Sequence, residues 1–294
     1  MLREAGHEVT GTTRREESTS LVRDLGAEPV VVDVFDAAAL HEALSAARPD
    51  AVIHQLTSIP KRLDPKRFEA QFRENNRLRS EGTRNLVDAA IAAGARRIVA
   101  QSFGSLYEPR GRLHVEEDPL VIELPGGGGV TARAVVDLEQ TVTQTDGIDG
   151  VALRYGYFYG PGTAYAADGA QADLAHRRRL PIVGKGEGVH SFIHVDDAAS
   201  AALRALDDEV PSGIYNIVDD EPAPVSEWVP AYCEALGAPS PRHLPVWIAR
   251  MFGGEYGVQF MTRSEGLSNE KAKRDLGLGL RYPSWRQGFK EAMG

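Results

Sequence analysis

The sequence has very little cysteine and no long apolar run. Cys233 is its single cysteine, so an internal disulfide cannot form and a reducing compartment is expected. No stretch approaches the roughly 18 apolar residues that span a bilayer, and the N-terminus lacks a signal-peptide pattern. These absences exclude a disulfide framework and favour a cytoplasmic protein that does not enter a membrane.

Positive charge is outweighed by negative charge, with 33 Lys and Arg against 42 Asp and Glu. The 294 residues carry a net charge of -9, which repels nucleic acid and anionic membranes. The exception is the run His-Arg-Arg-Arg at 176–179, which is more typical of a solvated helix end than of a phosphate site. The predicted partner is therefore a small-molecule substrate, with no nucleic acid and no membrane, and a homodimer stays open.

The sequence does contain alternating strand and helix patterns. Short apolar runs at 8–13, 29–33, 51–55, 97–102 and 150–155 are typical of buried parallel strands, and the spacing at 37–47 and 66–93 is helical. The pattern predicts an α/β fold with a doubly wound, Rossmann-like parallel sheet and ligand contacts at the strand carboxyl ends. We expect residues 1–162 to form this core and 163–294 a smaller lobe on the substrate side, with 189–218 packing back on the core.

The first 15 residues are typical of a helix end followed directly by a strand. In a dinucleotide-binding unit, a first strand and a G-x-G-x-x-G turn come before such a segment and hold the pyrophosphate. The sequence therefore predicts an N-terminally truncated core in which the first strand and its glycine-rich turn are missing.

Five strings resemble one known family. They are VIHQL (52–56), EGTRNLVDAA (81–90), LRYGYFYGP (153–161), SFIHVDDA (191–198) and GIYNIV (213–218). In this order they resemble the extended short-chain dehydrogenase/reductase family, which includes NAD-dependent epimerases and dehydratases. The resemblance runs through most of the chain and implies a nicotinamide cofactor and oxidoreductase or epimerase/dehydratase chemistry.

Candidate cofactor contacts follow the predicted strands. Arg14 and Arg15 lie where an arginine suits the 2′-phosphate of NADP, so NADP is predicted with NAD left open; the alternative is that both are simply exposed. Asp33 resembles the adenine-side aspartate of the family, or it caps the next helix. The remaining cofactor candidates are Val34, Gln55, Leu56 and Asn76.

The catalytic positions depart from the family. Its members carry Tyr-x-x-x-Lys on one helix face, where the lysine lowers the tyrosine pKa and the phenol relays a proton. Aligning the helix on Glu139 puts Thr131 and Val135 at those places, and neither can do this chemistry. The expected serine position falls on Phe103, and the expected asparagine position on Arg79.

Other polar residues could replace the missing acid: Tyr107, Thr131, Tyr157 and His190. We hypothesise that Tyr107 or Tyr157 donates the proton while Ser102 or Ser105 holds the substrate oxygen. His54 lies inside a strand and is predicted to be a packed core residue.

No metal is predicted, because His190 and His194 lack a third ligand and the acidic pair Asp196-Asp197 suits a helix start. Two functions stay open. One is an NAD(P)-dependent oxidoreductase or epimerase/dehydratase-like enzyme acting on a small carbonyl, alcohol or sugar-derived substrate. The other is a non-catalytic NADP-binding or sensor protein of the same fold, or an inactive truncated form.

Overall fold

The structure is a computed structural model that describes residues 1–60, 64, 67–124 and 127–293. Its strands are β1 (Thr10–Thr13), β2 (Glu28–Val31), β3 (Ala51–His54), β4 (Arg97–Phe103), β5 (Asp149–Tyr155), β6 (Tyr157–Tyr159), β7 (Ile182–Val183), β8 (Val189–His190), β9 (Phe192–His194), β10 (Gly213–Ile217), β11 (Ala223–Pro224) and β12 (His243–Leu244). Its α-helices are α1 (Thr19–Asp24), α2 (Ala37–Ala47), α3 (Phe68–Arg77), α4 (Thr83–Ala92), α5 (Gly127–Gln144), α6 (Ala170–His176), α7 (Val195–Arg204), α8 (Val225–Ala235), α9 (Val246–Arg263), α10 (Glu270–Asp275) and α11 (Trp285–Met293).

A parallel sheet in the order β10-β5-β4-β3 forms the centre of the core. Successive residues of β4 point to opposite faces, so Ile98 joins one apolar cluster with residues of α2, α4 and α5. Val99 joins a second cluster with residues of α7 and α10. Both are fully buried. Helices therefore cover both faces, as the continuous apolar runs require, and the predicted fold class is confirmed.

The predicted helix over 66–93 is divided in the structure, and Lys66 lies outside the described residues. A π-helical turn at Leu78–Gly82 separates α3 from α4. A Cβ atom at Gly82 would lie 3.3 Å from Val34 Cγ1, so the glycine allows close packing against the segment after β2. Single π turns inside α-helices frequently occur at functional sites.

The N-terminal strands form a sheet of their own. β1 pairs in parallel with β2, and within the described ranges no hydrogen-bonded ladder joins β1 to β3. Thr10 and Thr12 are exposed, whereas the residues of β4 and β5 are almost all buried. That a first strand is missing between β1 and β3 stays a prediction.

The C-terminal part builds an aromatic core on small two-stranded sheets, β6-β9, β7-β12 and β8-β11. Trp228, Tyr232, Trp285 and Phe289 are fully buried there, and Cys233 packs with them. β6 begins two residues after the end of β5, so this part starts at the carboxyl end of that strand. β10 then returns to pair with β5 in the central sheet. None of the helices over the described residues is long and apolar enough to cross a membrane.

Candidate active site at the carboxyl edge of the sheet

A buried ion pair lies beneath the carboxyl ends of β4 and β5. Arg154 Nε and Nη2 donate to Glu139 Oε1 and Oε2, both at 2.7 Å, and Ser102 Oγ donates to Glu139 Oε1 at 2.6 Å. The two charged side chains are each 4% exposed. Burial lowers the pKa of Arg154, but the hydrogen bonds and charge of Glu139 more than offset this and raise it. The guanidinium therefore stays charged, and the proton of the Ser102 hydroxyl is donated to Glu139.

The Tyr107 hydroxyl extends this network. It accepts from Arg154 Nη1 at 2.6 Å and donates to Asn216 Oδ1 at 2.7 Å. Burial raises the pKa of Tyr107 to about 12, which makes the phenol a weaker acid than in water. The geometry gives Tyr107 and Ser102 a place in a buried structural network, and their hypothesised roles in catalysis stay predictions.

The two helix positions that would carry a tyrosine and a lysine hold Thr131 and Val135, and neither side chain is ionisable. Thr131 is 8% exposed and its Oγ1 accepts from Asn76 Nδ2 at 3.1 Å. Val135 is fully buried and packs with Leu106 and Phe103. This face of α5 can therefore donate a hydrogen bond but cannot relay a proton through an activated phenol.

Aromatic side chains lie where the strands end. The rings of Phe103 and Tyr157 meet edge to face with centroids 6.2 Å apart, and Tyr157 lies 5.0 Å from the His190 ring. Tyr157 and Tyr165 also meet edge to face, at 6.4 Å. Phe103, Tyr157 and Tyr165 are half-buried, and we call these three residues the aromatic wall. Ser105 is half-buried two residues beyond Phe103.

The two arginines that are predicted to bind the 2′-phosphate on the cofactor ribose follow β1. Arg14 is half-exposed and Nη1 donates to Glu74 Oε1 at 2.5 Å, which raises the pKa of Arg14. Arg15 is exposed beside it. The exposed Asp33 accepts from its own turn, at Phe35 N. The alternative that Asp33 caps α2 is wrong, because Asp36 accepts from Ala39 N and is the cap.

The other cofactor candidates lie along the same edge. Gln55 is exposed and Leu56 half-buried directly after β3, and Val34 is buried after β2 with its carbonyl accepting from Asn85 Nδ2. Contacts to Glu74 on α3 and Asn85 on α4 bring the ends of β1 and β2 close to the helices that follow β3, on the side where such a fold binds a dinucleotide. The unpaired buried Asn76 Oδ1 adds an acceptor on α3. The residues present fit a nicotinamide dinucleotide.

His54 is buried, as predicted. Its Nδ1 accepts from Leu56 N at 3.3 Å, so Nε2 carries the proton and donates to Thr83 Oγ1 at 2.9 Å. Burial, with a contribution from the charge of Arg79, lowers the pKa of His54 to about 4. The imidazole is therefore neutral at pH 7 and fixes the loop after β3.

The acidic residues near α7 have structural partners. His194 caps α7 by accepting from Asp196 N, and Asp197 accepts from the backbone of Arg281 and Tyr282, both at 2.9 Å. Across the described ranges, no group of three His, Cys, Asp or Glu side chains could hold a metal ion.

Sequence reasoning missed the Glu139–Arg154 pair, and it missed Asn75, which precedes the candidate Asn76 on α3 and accepts from Ser58 N. The available signal was Arg154 itself, which interrupts an otherwise apolar strand. A charge inside a buried strand requires a partner, but the residue that supplies it, 15 positions away on α5, is set by the tertiary packing.

The chain is similar to known proteins along its length. The sequence model of the NAD dependent epimerase/dehydratase family matches residues 1–218. A 3-diazoavenalumate denitrifying reductase from a Streptomyces species is 43% identical over 97% of this chain and 95% of the relative.

Two solved structures share the fold. The UDP-glucose 4-epimerase of Thermus thermophilus, solved with NAD, has a TM-score of 0.73 at 24% identity and covers 99% of this chain and 92% of its own. A human epimerase family protein, solved with NADPH, has a TM-score of 0.75 at 20% identity with the same coverages. The chain belongs to the NAD dependent epimerase/dehydratase family.

Proposed function

We propose that the chain is a nicotinamide-dependent reductase that directs hydride to an aromatic acceptor and needs no proton from an ionisable side chain. The observation that carries this proposal is the α5 face, where Thr131 and Val135 stand in place of an acid and its activating lysine. An enzyme that moves protons to and from a carbonyl oxygen needs such a group. A hydride substitution does not.

The 43% identical relative supports a reaction of this type, because its name describes a reductase that removes nitrogen from a diazo compound. In an arenediazonium ion, the ring carbon takes up hydride and the carbon–nitrogen bonding pair leaves with dinitrogen, so atoms and charge balance without a proton. The bound reduced cofactor supplies the hydride. We propose an arenediazonium ion as the acceptor.

The aromatic wall is suited to this acceptor. Phe103 puts an apolar ring at the position where the resemblance expects a hydrogen-bonding serine, and it meets Tyr157 edge to face. Half-buried aromatic rings of this kind suit a planar aromatic ligand. Phenol rings also attract a cation through their faces, and a diazonium group is cationic. The proposed role of Tyr157 is to hold the acceptor ring.

We further propose NADPH rather than NADH. Arg14 and Arg15 lie together after β1, and a 2′-phosphate carries more negative charge than the single carboxylate of Glu74 that Arg14 contacts. Charge-assisted bonds to phosphate are strong, so Arg14 would exchange Glu74 for the cofactor. Asp33, Val34, Gln55, Leu56 and Asn76 would line the rest of the path.

The test is incubation with NADPH deuterated at C4 and 4-carboxybenzenediazonium, with the arene analysed for ring deuterium and the gas for dinitrogen. A reaction without protein measures direct reduction by the cofactor, and Tyr157→Ala measures the wall. We expect protein-dependent deuterium transfer that falls at least about 10-fold in the variant. No protein-dependent label would contradict the proposal. Binding of NADPH without label transfer would favour the non-catalytic alternative. Conversion of UDP-glucose would instead indicate an epimerase.

A further inference from the structure

Two adjacent asparagines are buried where α3 crosses α5. Asn75 is 0% exposed and its Oδ1 accepts from Ser58 N at 2.9 Å, which fastens the segment after β3 to α3. Asn76 is 7% exposed and Nδ2 donates to Thr131 Oγ1 at 3.1 Å, which fastens α3 to the first turns of α5. His54, the last residue of β3, contacts Thr83, and Asn76 precedes Thr83 by seven residues in the same helical run, so the crossing lies beyond the carboxyl end of β3, at the ligand edge.

The Asn76–Thr131 bond leaves two hydrogen-bonding valences unused. Asn76 Oδ1 is buried and receives no hydrogen bond. The Thr131 oxygen accepts from Asn76, so its proton points elsewhere, and the residues described offer it no acceptor. Buried polar atoms are rarely left without partners, because burial removes the water that would otherwise satisfy them. A free acceptor and a free donor therefore lie side by side.

The crossing is built closely enough to keep this geometry. A Cβ atom at Gly127 would lie 2.8 Å from Glu69 Cβ, so only a glycine lets α5 approach α3 at this point. Thr131 lies one turn further along α5, and Val135 and Ala132 behind it are fully buried in an apolar cluster. The hydroxyl consequently has little freedom to find another partner.

We infer that Asn76 and Thr131 together bind one neutral group that both donates and accepts a hydrogen bond, a carboxamide or a hydroxyl. A carboxylate would place its lone pairs against Asn76 Oδ1, and an ammonium could not accept from Thr131. One ligand expected at this edge carries such a group, the nicotinamide carboxamide of the cofactor; a ring hydroxyl, where the aromatic acceptor bears one, would be a second source. The second source rests on the proposed function.

Affinities rather than turnover test this inference. Thr131→Val removes the donor, Thr131→Ser keeps it, and Asn76→Leu removes the acceptor. Thr143→Val is the matched control, because that hydroxyl lies on the same helix but donates to Glu139 O. The cofactor probes are NADPH and its 3-acetylpyridine analogue, which lacks the amide N–H. The binding of each is measured by the change in protein fluorescence. Calorimetry then measures 4-hydroxybenzoate and benzoate binding to the NADP⁺-loaded protein.

If the cofactor is the source, Thr131→Val and Asn76→Leu weaken NADPH at least about 10-fold, which is about 1.4 kcal/mol, and Asn76→Leu leaves the analogue unchanged. If the acceptor is the source, NADPH binding is unchanged and the preference for 4-hydroxybenzoate over benzoate is lost. In both cases Thr131→Ser and Thr143→Val bind as the unaltered protein does.

Unchanged affinity for all probes in Thr131→Val and Asn76→Leu would overturn the inference, as would failure of the unaltered protein to bind any probe. A structural role alone would lower the unfolding midpoint without this selectivity, and that result also contradicts it. Failure of deuterium transfer with these affinity changes intact would reject only the proposed function.

Discussion

Replacing Glu139 by alanine should destabilise the protein strongly, because it leaves the Arg154 guanidinium without a counter-charge. That guanidinium is 4% exposed and loses both of its 2.7 Å hydrogen bonds, while the Ser102 hydroxyl loses its acceptor. Removing one partner of a buried ion pair costs about 3–5 kcal/mol. With about 2–4 °C per kcal/mol in a chain of this size class, the melting temperature should fall by roughly 6–20 °C.

The assay is thermal and urea unfolding followed by circular dichroism, with Asp137→Ala as control. Asp137 lies on the same helix and pairs with Arg84, but the two side chains are 41% and 52% exposed. An exposed ion pair contributes about 0–1 kcal/mol, so the control should change the free energy of unfolding little. The contrast isolates burial, since helix and charge type are shared.

A double variant, Glu139→Leu with Arg154→Met, sharpens the test. Removing both charges removes the desolvation penalty, and such replacements are often neutral or stabilising. The double variant should therefore be more stable than Glu139→Ala. A loss below about 1 kcal/mol in Glu139→Ala, or a double variant no more stable than the single one, would refute the reasoning.

Three further outcomes are expected. Burial raises the pKa of Asp219 to about 8, while in the unfolded chain this carboxyl ionises near pH 4. The folded state therefore binds the extra proton between these values, and stability falls as pH rises. In urea unfolding, the free energy of unfolding of Asp219→Asn should rise relative to that of the unaltered protein from pH 5 to pH 8. Arg14→Asp should lower the preference for NADPH over NADH at least about 10-fold, and an unchanged ratio of dissociation constants would reject the role of Arg14. Tyr107→Phe should lower the free energy of unfolding by about 1–3 kcal/mol with little loss of turnover. Tyr157→Phe should also keep its turnover. A loss of turnover of about 100-fold in either variant would support the hypothesis that the replaced tyrosine donates the proton.

Periodicity predicted the elements well where packing is uniform. α2 occupies the predicted 37–47, and β3, β4 and β5 differ from their predicted bounds by one residue at most at either end. These elements are buried between the sheet and its helices, so the pattern of apolar residues follows directly from which faces are buried. The single helix predicted over 66–93 is interrupted at its middle by the π turn, where Gly82 lies close to Val34 from a distant part of the sequence.

The candidate site was predictable only in part. The strand order and the rule that ligands bind at carboxyl ends place Arg14, Asp33 and Gln55 at one edge without knowledge of any contact. The same reasoning could not distinguish Tyr107 from Tyr157. One phenol is enclosed by Arg154 and Asn216, residues 47 and 109 positions away, and the other is half-exposed among rings.

The sequence by itself determined the fold class, the family and the absence of a tyrosine–lysine pair at positions 131 and 135, because these depend on local periodicity and on the residue types at fixed spacings. Only the tertiary structure decided which polar groups already have hydrogen-bond partners. Hydrogen bonds of Ser102, Tyr107 and Asp197 join distant segments, and the free valences of Asn76 and Thr131 exist because two helices cross there. Whether a side chain is available for chemistry depends on its partners, and partners far apart in the sequence are chosen by packing.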